Sequence, residues 1–167
     1  KKMQWIYELC RKYKLICVID IGRPENGCYQ IENLRKMIKK YSDVTFVVCH
    51  LGSHQENQYE MFKHDIERLK LPNCFFDLAS VSNNTHEPYP FNNALNYIKL
   101  AIEIVGDDKL MWGSDMPTSL TKSSYDNFIN YIMNSDIPLS SKQKIFYDNA
   151  NKPVSYTHLR AHETELH

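Results

Sequence analysis

The alternation of apolar and polar residues divides the chain into short apolar runs and longer amphipathic segments. Continuous apolar runs of strand length lie at residues 15–20, 44–49, 73–79 and 109–112. Between and after them, apolar residues recur every three to four positions, which predicts helices over residues 2–13, 29–41, 58–69, 90–105, 124–134 and 140–149. Strands and helices therefore alternate along the chain.

Strands that are apolar throughout are typical of a parallel sheet covered on both faces by crossover helices. We therefore predict an α/β fold in one domain, with no linker between the units. Two architectures fit this pattern, a doubly wound open sheet and part of a (β/α)₈ barrel. Both place the functional groups at the carboxyl ends of the strands.

The composition restricts the classes of function. The 167 residues include 20 Lys+Arg and 20 Asp+Glu, and this neutral balance argues against a protein that binds nucleic acid through its phosphates. No apolar run is long enough to cross a membrane. The five Cys form no CxxC pair, which favours a reducing, cytoplasmic location over a disulfide scaffold. No glycine-rich motif for nucleotide phosphates follows a strand.

The two ends of the sequence suggest a piece of a longer protein. Residue 1 is Lys and no signal peptide precedes the first helix, so the amino-terminal side looks cut. Residues 153–167 have no apolar period and resemble a translated sequencing adapter. We expect residues 1–152 to form the domain and residues 153–167 to be a non-native tail.

Polar residues with useful chemistry follow the predicted strands. Asp20 follows the first, His50 the second and Asp115 the fourth, while Asp77 ends the third. A single polar residue at a strand end often only caps a helix or forms a turn. His50 and Asp115, however, each lie close to a glycine. We expect Gly52 and Gly113 to let the backbone turn sharply beside a site.

These residue types suit catalysis with or without a metal. A neutral His50 imidazole could bind a metal or polarise a carbonyl, and Asp115 could take a proton from water. Asp20 and Asp77 could be further metal ligands, or could orient other ligands. The loop that follows the third strand, residues 80–88, is either a lid over the site or a surface excursion.

Four segments resemble one family. VVCHLG, FFDLAS, MWGSDMP and QKIFYDNANK are similar to the amidohydrolase-related family, which comprises metal-dependent hydrolases and decarboxylases built on a TIM barrel. The order of HLG, GSDMP and DNANK carries most of the resemblance. It implies that this chain is the C-terminal half of a (β/α)₈ barrel, strands five to eight. The family's paired His-x-His of strand one is absent from the chain.

The resemblance also implies roles for three residues. Asp115 would be a metal ligand and the proton shuttle for the attacking water. His50 would orient or polarise the substrate, or touch the metal, and Asp20 would replace the family's strand-five His ligand. From its sequence position alone, Arg23 on the loop after Asp20 is either a solvated loop residue or a residue that binds a substrate carboxylate through its guanidinium group. The cofactor would be a divalent metal, with zinc as the first candidate.

The resulting hypothesis is a fragment of a metal-dependent hydrolase or decarboxylase (lyase) acting on a small carboxylate, ester, lactone or amide. We expect the protein to bind a small-molecule substrate and to bind neither nucleic acid nor a membrane. The sequence leaves open whether the parent protein is a homo-oligomer. The isolated chain is expected to be inactive. The alternative is a non-catalytic barrel that binds a ligand or partner and has lost part of its metal site, and Asp20 favours it. A serine hydrolase finds little support, because no GxSxG motif occurs.

Overall fold

The computed structural model describes residues 3–152, and these form four parallel strands that alternate with helices. The predicted tail, residues 153–167, lies outside the described residues. The strands are β1 (Cys17–Ile19), β2 (Phe46–Val48), β3 (Cys74–Asp77) and β4 (Leu110–Met111). The α-helices are α1 (Gln4–Tyr13), α2 (Ile31–Lys40), α3 (Tyr59–Leu69), α4 (Val81–Asn84), α5 (Asn92–Val105), α6 (Tyr125–Met133) and α7 (Leu139–Gln143). Four strands and six helices thus lie where the sequence predicts them.

The strand order in the sheet is β1-β2-β3-β4, the same as the order along the chain. All three pairings are parallel, and Val18, Val47 and Phe75 occupy one register layer across the first three strands. In a doubly wound sheet the strand order reverses at one point. The described strands show no such reversal. All four carboxyl ends therefore lie at one edge of the sheet.

The two faces of the sheet are covered unequally. Successive side chains of a strand point to opposite faces, and on one face Phe46, Val48, Phe76 and Leu110 are 0% exposed. Helices cover this face; the ring of Tyr7 in α1, for example, lies 5.7 Å from that of Phe46. On the opposite face Val18 is 61% exposed. The expectation of full cover on both faces is therefore wrong for β1, because no described element packs over Val18.

Two helical segments differ from the predictions. The loop after β3 contains the short helix α4, which the sequence pattern did not show. The last predicted helix is interrupted, because a wide π-helical turn over Lys144–Asp148 follows α7. The Ile145 carbonyl of this turn accepts the Trp112 N–H at 2.8 Å, so the turn is attached to the end of β4.

Asn149 lies in the DNANK segment and anchors it by hydrogen bonds. Its side-chain amide is fully buried and donates to the Asp107 and Leu110 carbonyls at 2.7 and 2.8 Å. These bonds hold the last helical segment against the start of β4, so the role of Asn149 is structural. In residues 3–152, no helix has the length and apolar character needed to span a membrane.

Candidate active site at the strand ends

A cavity of about 510 Å³ lies at the carboxyl ends of the strands. Asp20, Arg23, His50 and Asp115 all line it, although they follow three different strands. The parallel sheet order explains this, because it brings all four strand ends to the same edge. The structure thus places the four residues singled out in the sequence around one cavity.

His50 is held in a defined orientation at the start of the turn after β2. Its backbone N–H donates to Asp77 Oδ1 at 2.9 Å, and its ring Nδ1 lies 3.1 Å from the Ala79 carbonyl. A carbonyl only accepts, so Nδ1 carries the hydrogen and Nε2 carries the lone pair of the neutral ring. Asp77 also accepts the Ala79 N–H at 3.1 Å, which makes it an orienting residue rather than part of the cavity wall.

The backbone of this turn is strained. Residues 50–53 all have positive φ, and three of them, His50, Leu51 and Ser53, are not glycine. A left-handed conformation costs roughly 1–2 kcal/mol for each residue that has a Cβ. Such strain persists only where the surrounding structure enforces it, and it concentrates at functional sites. Ser80 and Asp115 also have positive φ, so the strain occurs at three strand ends.

Asp115 is fixed by a hydrogen-bond network of Ser80, which precedes α4, Asn83 of α4, and Ser119, which lies four residues beyond Asp115. Ser80 Oγ donates to Asp115 Oδ2 in a short hydrogen bond. Asn83 donates to Ser80 Oγ at 3.2 Å and to Ser119 Oγ at 2.8 Å, and Ser119 Oγ donates to the Asp115 carbonyl. Carboxylate Oδ1 of Asp115 takes no part in this network and is the oxygen left for chemistry.

Gly113 supports this network through its small size, and not through the sharp turn that the sequence suggested. Its φ is not positive, so a sharp turn does not require it. A Cβ at this position would instead lie 3.0 Å from the Ala79 Cβ, so glycine permits the close approach of the two strand ends. This approach brings Ser80 within reach of Asp115. Gly52, in contrast, has φ +79° and allows the turn as expected.

The pKa of the Cys49 thiol reflects the negative charge of the site. Burial, followed by the charges of Asp77, Asp20 and Asp115, raises the pKa of Cys49 to about 12. Cys49 is therefore a neutral thiol near pH 7 and a poor ligand or nucleophile. The carboxylates also make the cavity suitable for a cation, with Arg23 and Lys122 as positive groups in its wall.

The described residues do not make a complete metal site. Carboxylate oxygens and an imidazole nitrogen are suitable ligands for a divalent ion. Within residues 3–152, however, no three His, Cys, Asp or Glu side chains converge closely enough to hold one. Asp20 and Asp115 can thus contribute only part of a coordination shell.

Several cavity residues were missed or left undecided by sequence reasoning. Ser80 follows the third strand directly, and that position was its only signal. Asn83 and His86 lie in the wall, so the 80–88 segment, undecided in the sequence, borders the cavity. Lys122 lies seven residues beyond Asp115 in a polar loop, where no pattern distinguishes it from a solvated lysine.

Comparison with protein families and known proteins places this geometry in context. The sequence model of the amidohydrolase family matches residues 1–152. A search of curated proteins gave no match.

Three solved structures illustrate the structural similarity. An amidohydrolase from Burkholderia multivorans with bound zinc has a TM-score of 0.74 at 16% identity, covering 89% of this chain and 55% of that one. Amidohydrolase 2 from Bifidobacterium longum subsp. infantis has a TM-score of 0.68 at 16% identity, covering 89% and 53%. A 5-carboxyvanillate decarboxylase from Novosphingobium aromaticivorans, complexed with manganese and 4-hydroxy-3-methoxy-5-nitrobenzoic acid, has a TM-score of 0.61 at 13% identity, covering 90% and 50%. This chain thus spans about half the length of each.

Proposed function

The chain belongs to the amidohydrolase family, and on this premise we propose that the whole protein is a metal-dependent hydrolase or decarboxylase of a small carboxylate, ester, lactone or amide. The observation that carries the proposal is the shared cavity of Asp20, Arg23, His50 and Asp115. The similar structures include an amidohydrolase with zinc and a decarboxylase with manganese. They give no support to the non-catalytic alternative.

The geometry of each group supports its proposed role. Asp115 Oδ1 accepts a proton from the attacking water or returns one to the product, while Ser80 fixes the other oxygen. His50 presents the lone pair of Nε2, because Nδ1–H is bonded to the Ala79 carbonyl. Arg23, exposed at the cavity rim, binds the substrate carboxylate through its forked guanidinium group.

The proposed cofactor is a divalent ion, with zinc as the first candidate. Asp115 and Asp20 would each contribute a carboxylate oxygen, and the remaining ligands would come from outside residues 3–152. The ion would act as a Lewis acid toward the substrate.

We further propose that residues 1–152 are the C-terminal half of a (β/α)₈ barrel. Three observations support this assignment: the sequential strand order, the half-length match to the similar structures, and the exposed Val18 on the face that would line a barrel interior. The outer stripe of α1 adds a fourth, because Trp5, Leu9 and Tyr13 are 62%, 40% and 58% exposed at helical spacing. In a whole barrel a neighbouring helix would cover such a stripe.

The proposal is tested in the full-length protein by comparing Asp115→Asn and His50→Ala with the surface variants Asp126→Asn and His64→Ala. Turnover is measured on a panel of esters, lactones, amides and aromatic acids, and bound metal by mass spectrometry. Asp115→Asn is expected to lower kcat at least about a hundredfold and to reduce metal content, and His50→Ala to lower kcat.

The control variants are expected to match the wild-type protein. Unchanged turnover and metal content in both site variants would overturn the catalytic assignment. A full-length protein that binds small acids but contains no metal and turns over no substrate would establish the non-catalytic alternative.

A further inference from the structure

A buried polar cluster lies beside the cavity, on the far side of the turn that carries His50. It consists of Tyr29, His54 and Asp65, which we call the Tyr–His–Asp cluster. The side chains of His54 and Asp65 are only 2% and 8% exposed. None of these residues lines the cavity, and the proposed chemistry does not use them.

Hydrogen bonds fix the cluster internally. Tyr29 donates its hydroxyl proton to Asp65 Oδ2 at 2.5 Å. His54 Nε2 lies 3.1 Å from the same oxygen and 3.0 Å from the Tyr29 hydroxyl oxygen. Because the Tyr29 proton is already donated, Nε2 must carry a hydrogen and act as the donor. Hydrogen bonds from His54, Tyr29 and His64 outweigh burial and lower the pKa of Asp65, so Asp65 is an anion at neutral pH.

The other edge of the His54 ring packs against the turn. A Cβ at Gly52 would lie 3.2 Å from His54 Cε1 and 3.3 Å from Nδ1. Nδ1 is buried and has no hydrogen-bond partner among residues 3–152. The hydrogen bonds that hold the ring are therefore made by Nε2, and its opposite edge packs against Gly52. Phe62 of α3 restrains it further in an edge-to-face contact at 5.3 Å.

The left-handed turn thus has two anchors. At its first residue, Asp77 accepts the His50 N–H. At its end, His54 follows Ser53 directly and is fixed by Tyr29, just before α2, and by Asp65 of α3. A strained conformation of this kind persists only where the surrounding structure enforces it, and here contacts at both ends of the turn do so.

We infer that the Tyr–His–Asp cluster is a positioning device, which supports the turn of residues 50–53 at its carboxyl end and thereby sets the direction of the His50 ring. His54 is thus a positioning residue and touches no substrate. This inference rests on the proposed function, because the direction of His50 matters for catalysis only if the cavity is the active site. A displacement of about 1 Å in such a group is enough to lower a rate about a hundredfold.

The test compares three variants of the full-length protein with one control. His54→Phe removes the polar anchor and keeps a ring, Tyr29→Phe removes only the hydroxyl, and His54→Gln keeps an amide donor for Asp65. His64→Ala is the matched control, because His64 also contacts Asp65 (Nδ1 to Oδ1, 3.0 Å) but its side chain is 67% exposed and does not touch the turn.

We expect His54→Phe to lower kcat about 10- to 100-fold with little change in KM or bound metal. The NMR signals of the His50 imidazole, assigned by their loss in His50→Ala, should shift in His54→Phe. His54→Gln should recover most of the activity, and His64→Ala should match the wild-type protein in both measurements.

A folded His54→Phe protein with wild-type kcat and unshifted His50 signals would overturn the inference. If His54→Phe does not fold, Tyr29→Phe decides through the same two measurements. If His50→Ala leaves turnover unchanged, the proposed function fails, and the His50 NMR signals alone then decide whether the cluster orients that ring.

Discussion

The helix-facing layer of the sheet and the turns at its carboxyl ends are built in opposite ways. The layer consists of large apolar side chains, such as Phe46 and Phe76, that are 0% exposed. The turns contain strained backbone at His50, Ser80 and Asp115 and a network of polar side chains around a cavity. Packing in the layer stabilises the fold and offsets the strain of the turns, so the residues that hold the fold are separate from those that line the cavity.

The largest expected effect is a loss of stability that differs between the two faces of strand β3. Phe76→Ala should destabilise the protein by about 3–5 kcal/mol, because it empties a fully enclosed site. Phe75→Ala is the matched control in the isolated chain, where Phe75, the preceding residue, lies on the opposite, half-covered face and its loss should cost about 1–2 kcal/mol. Urea unfolding followed by circular dichroism measures both, and equal losses would contradict the unequal cover of the sheet.

A second prediction uses Cys49 as a probe of the strand ends. Because burial and the nearby Asp77, Asp20 and Asp115 raise its pKa to about 12, alkylation at pH 8 should be at least about a hundredfold slower than for the exposed Cys28. Removal of a negative charge in Asp115→Asn should accelerate the Cys49 reaction and leave the Cys28 rate unchanged. Mass spectrometry of digested protein measures both rates, and a Cys49 rate equal to that of Cys28 would contradict the buried, negatively charged surroundings of the Cys49 thiol.

The close approach of two strand ends gives a third prediction. Gly113→Ala should destabilise the protein by about 1–3 kcal/mol, because the new Cβ would lie 3.0 Å from that of Ala79. Gly27→Ala is the control, since nothing lies within 4 Å of a Cβ there, and its midpoint of thermal unfolding should not fall. Similar midpoints for the two variants would show that the strand ends are not closely packed.

The smallest effect concerns pH. Burial alone would raise the pKa of Asp65, but hydrogen bonds from His54, Tyr29 and His64 lower it below its ordinary value. The stability that Asp65 contributes is therefore present above the unfolded pKa of about 4 and is lost as pH falls through the lower folded pKa. Wild-type protein should lose more stability between about pH 5 and pH 2 than Asp65→Asn.

Asp43 provides the contrast to Asp65. Its pKa is also lowered, chiefly by the Arg11 side chain at 2.9 Å, but this pair is exposed on the surface. At about 1 M salt the contribution of Asp43 to the free energy of unfolding should become small, while that of Asp65 should remain. Chemical unfolding at two salt concentrations measures the difference, and an equal salt response would contradict the buried character of the cluster.

The sequence predicts the helix-facing layer better than the turns, for a physical reason. Periodicity depends on burial, so it locates β2 around Phe46 and α5 up to Val105. It also selects Asp20, His50 and Asp115, because strand ends share one edge in a parallel sheet. Exposure of Val18 could not be predicted, since apolar character does not reveal which element covers a residue.

The residues that support the site could not be predicted from the sequence. His54 lies in a polar loop where nothing indicates burial, and its partners Tyr29 and Asp65 are 25 and 11 residues away along the chain. Asn83 acts through a hydroxyl network that only the folded chain creates. Long-range polar contacts of this kind leave no periodic pattern.

We propose that Asp20, His50 and Asp115 form part of one active site, and anomalous diffraction from crystals of the full-length protein grown with Zn²⁺ or Mn²⁺ tests this. One strong anomalous peak is expected within about 2.0–2.6 Å of an Asp115 carboxylate oxygen, beside His50. A peak bound to other residues, with Asp115 remote from it, would show that these residues do not hold the metal.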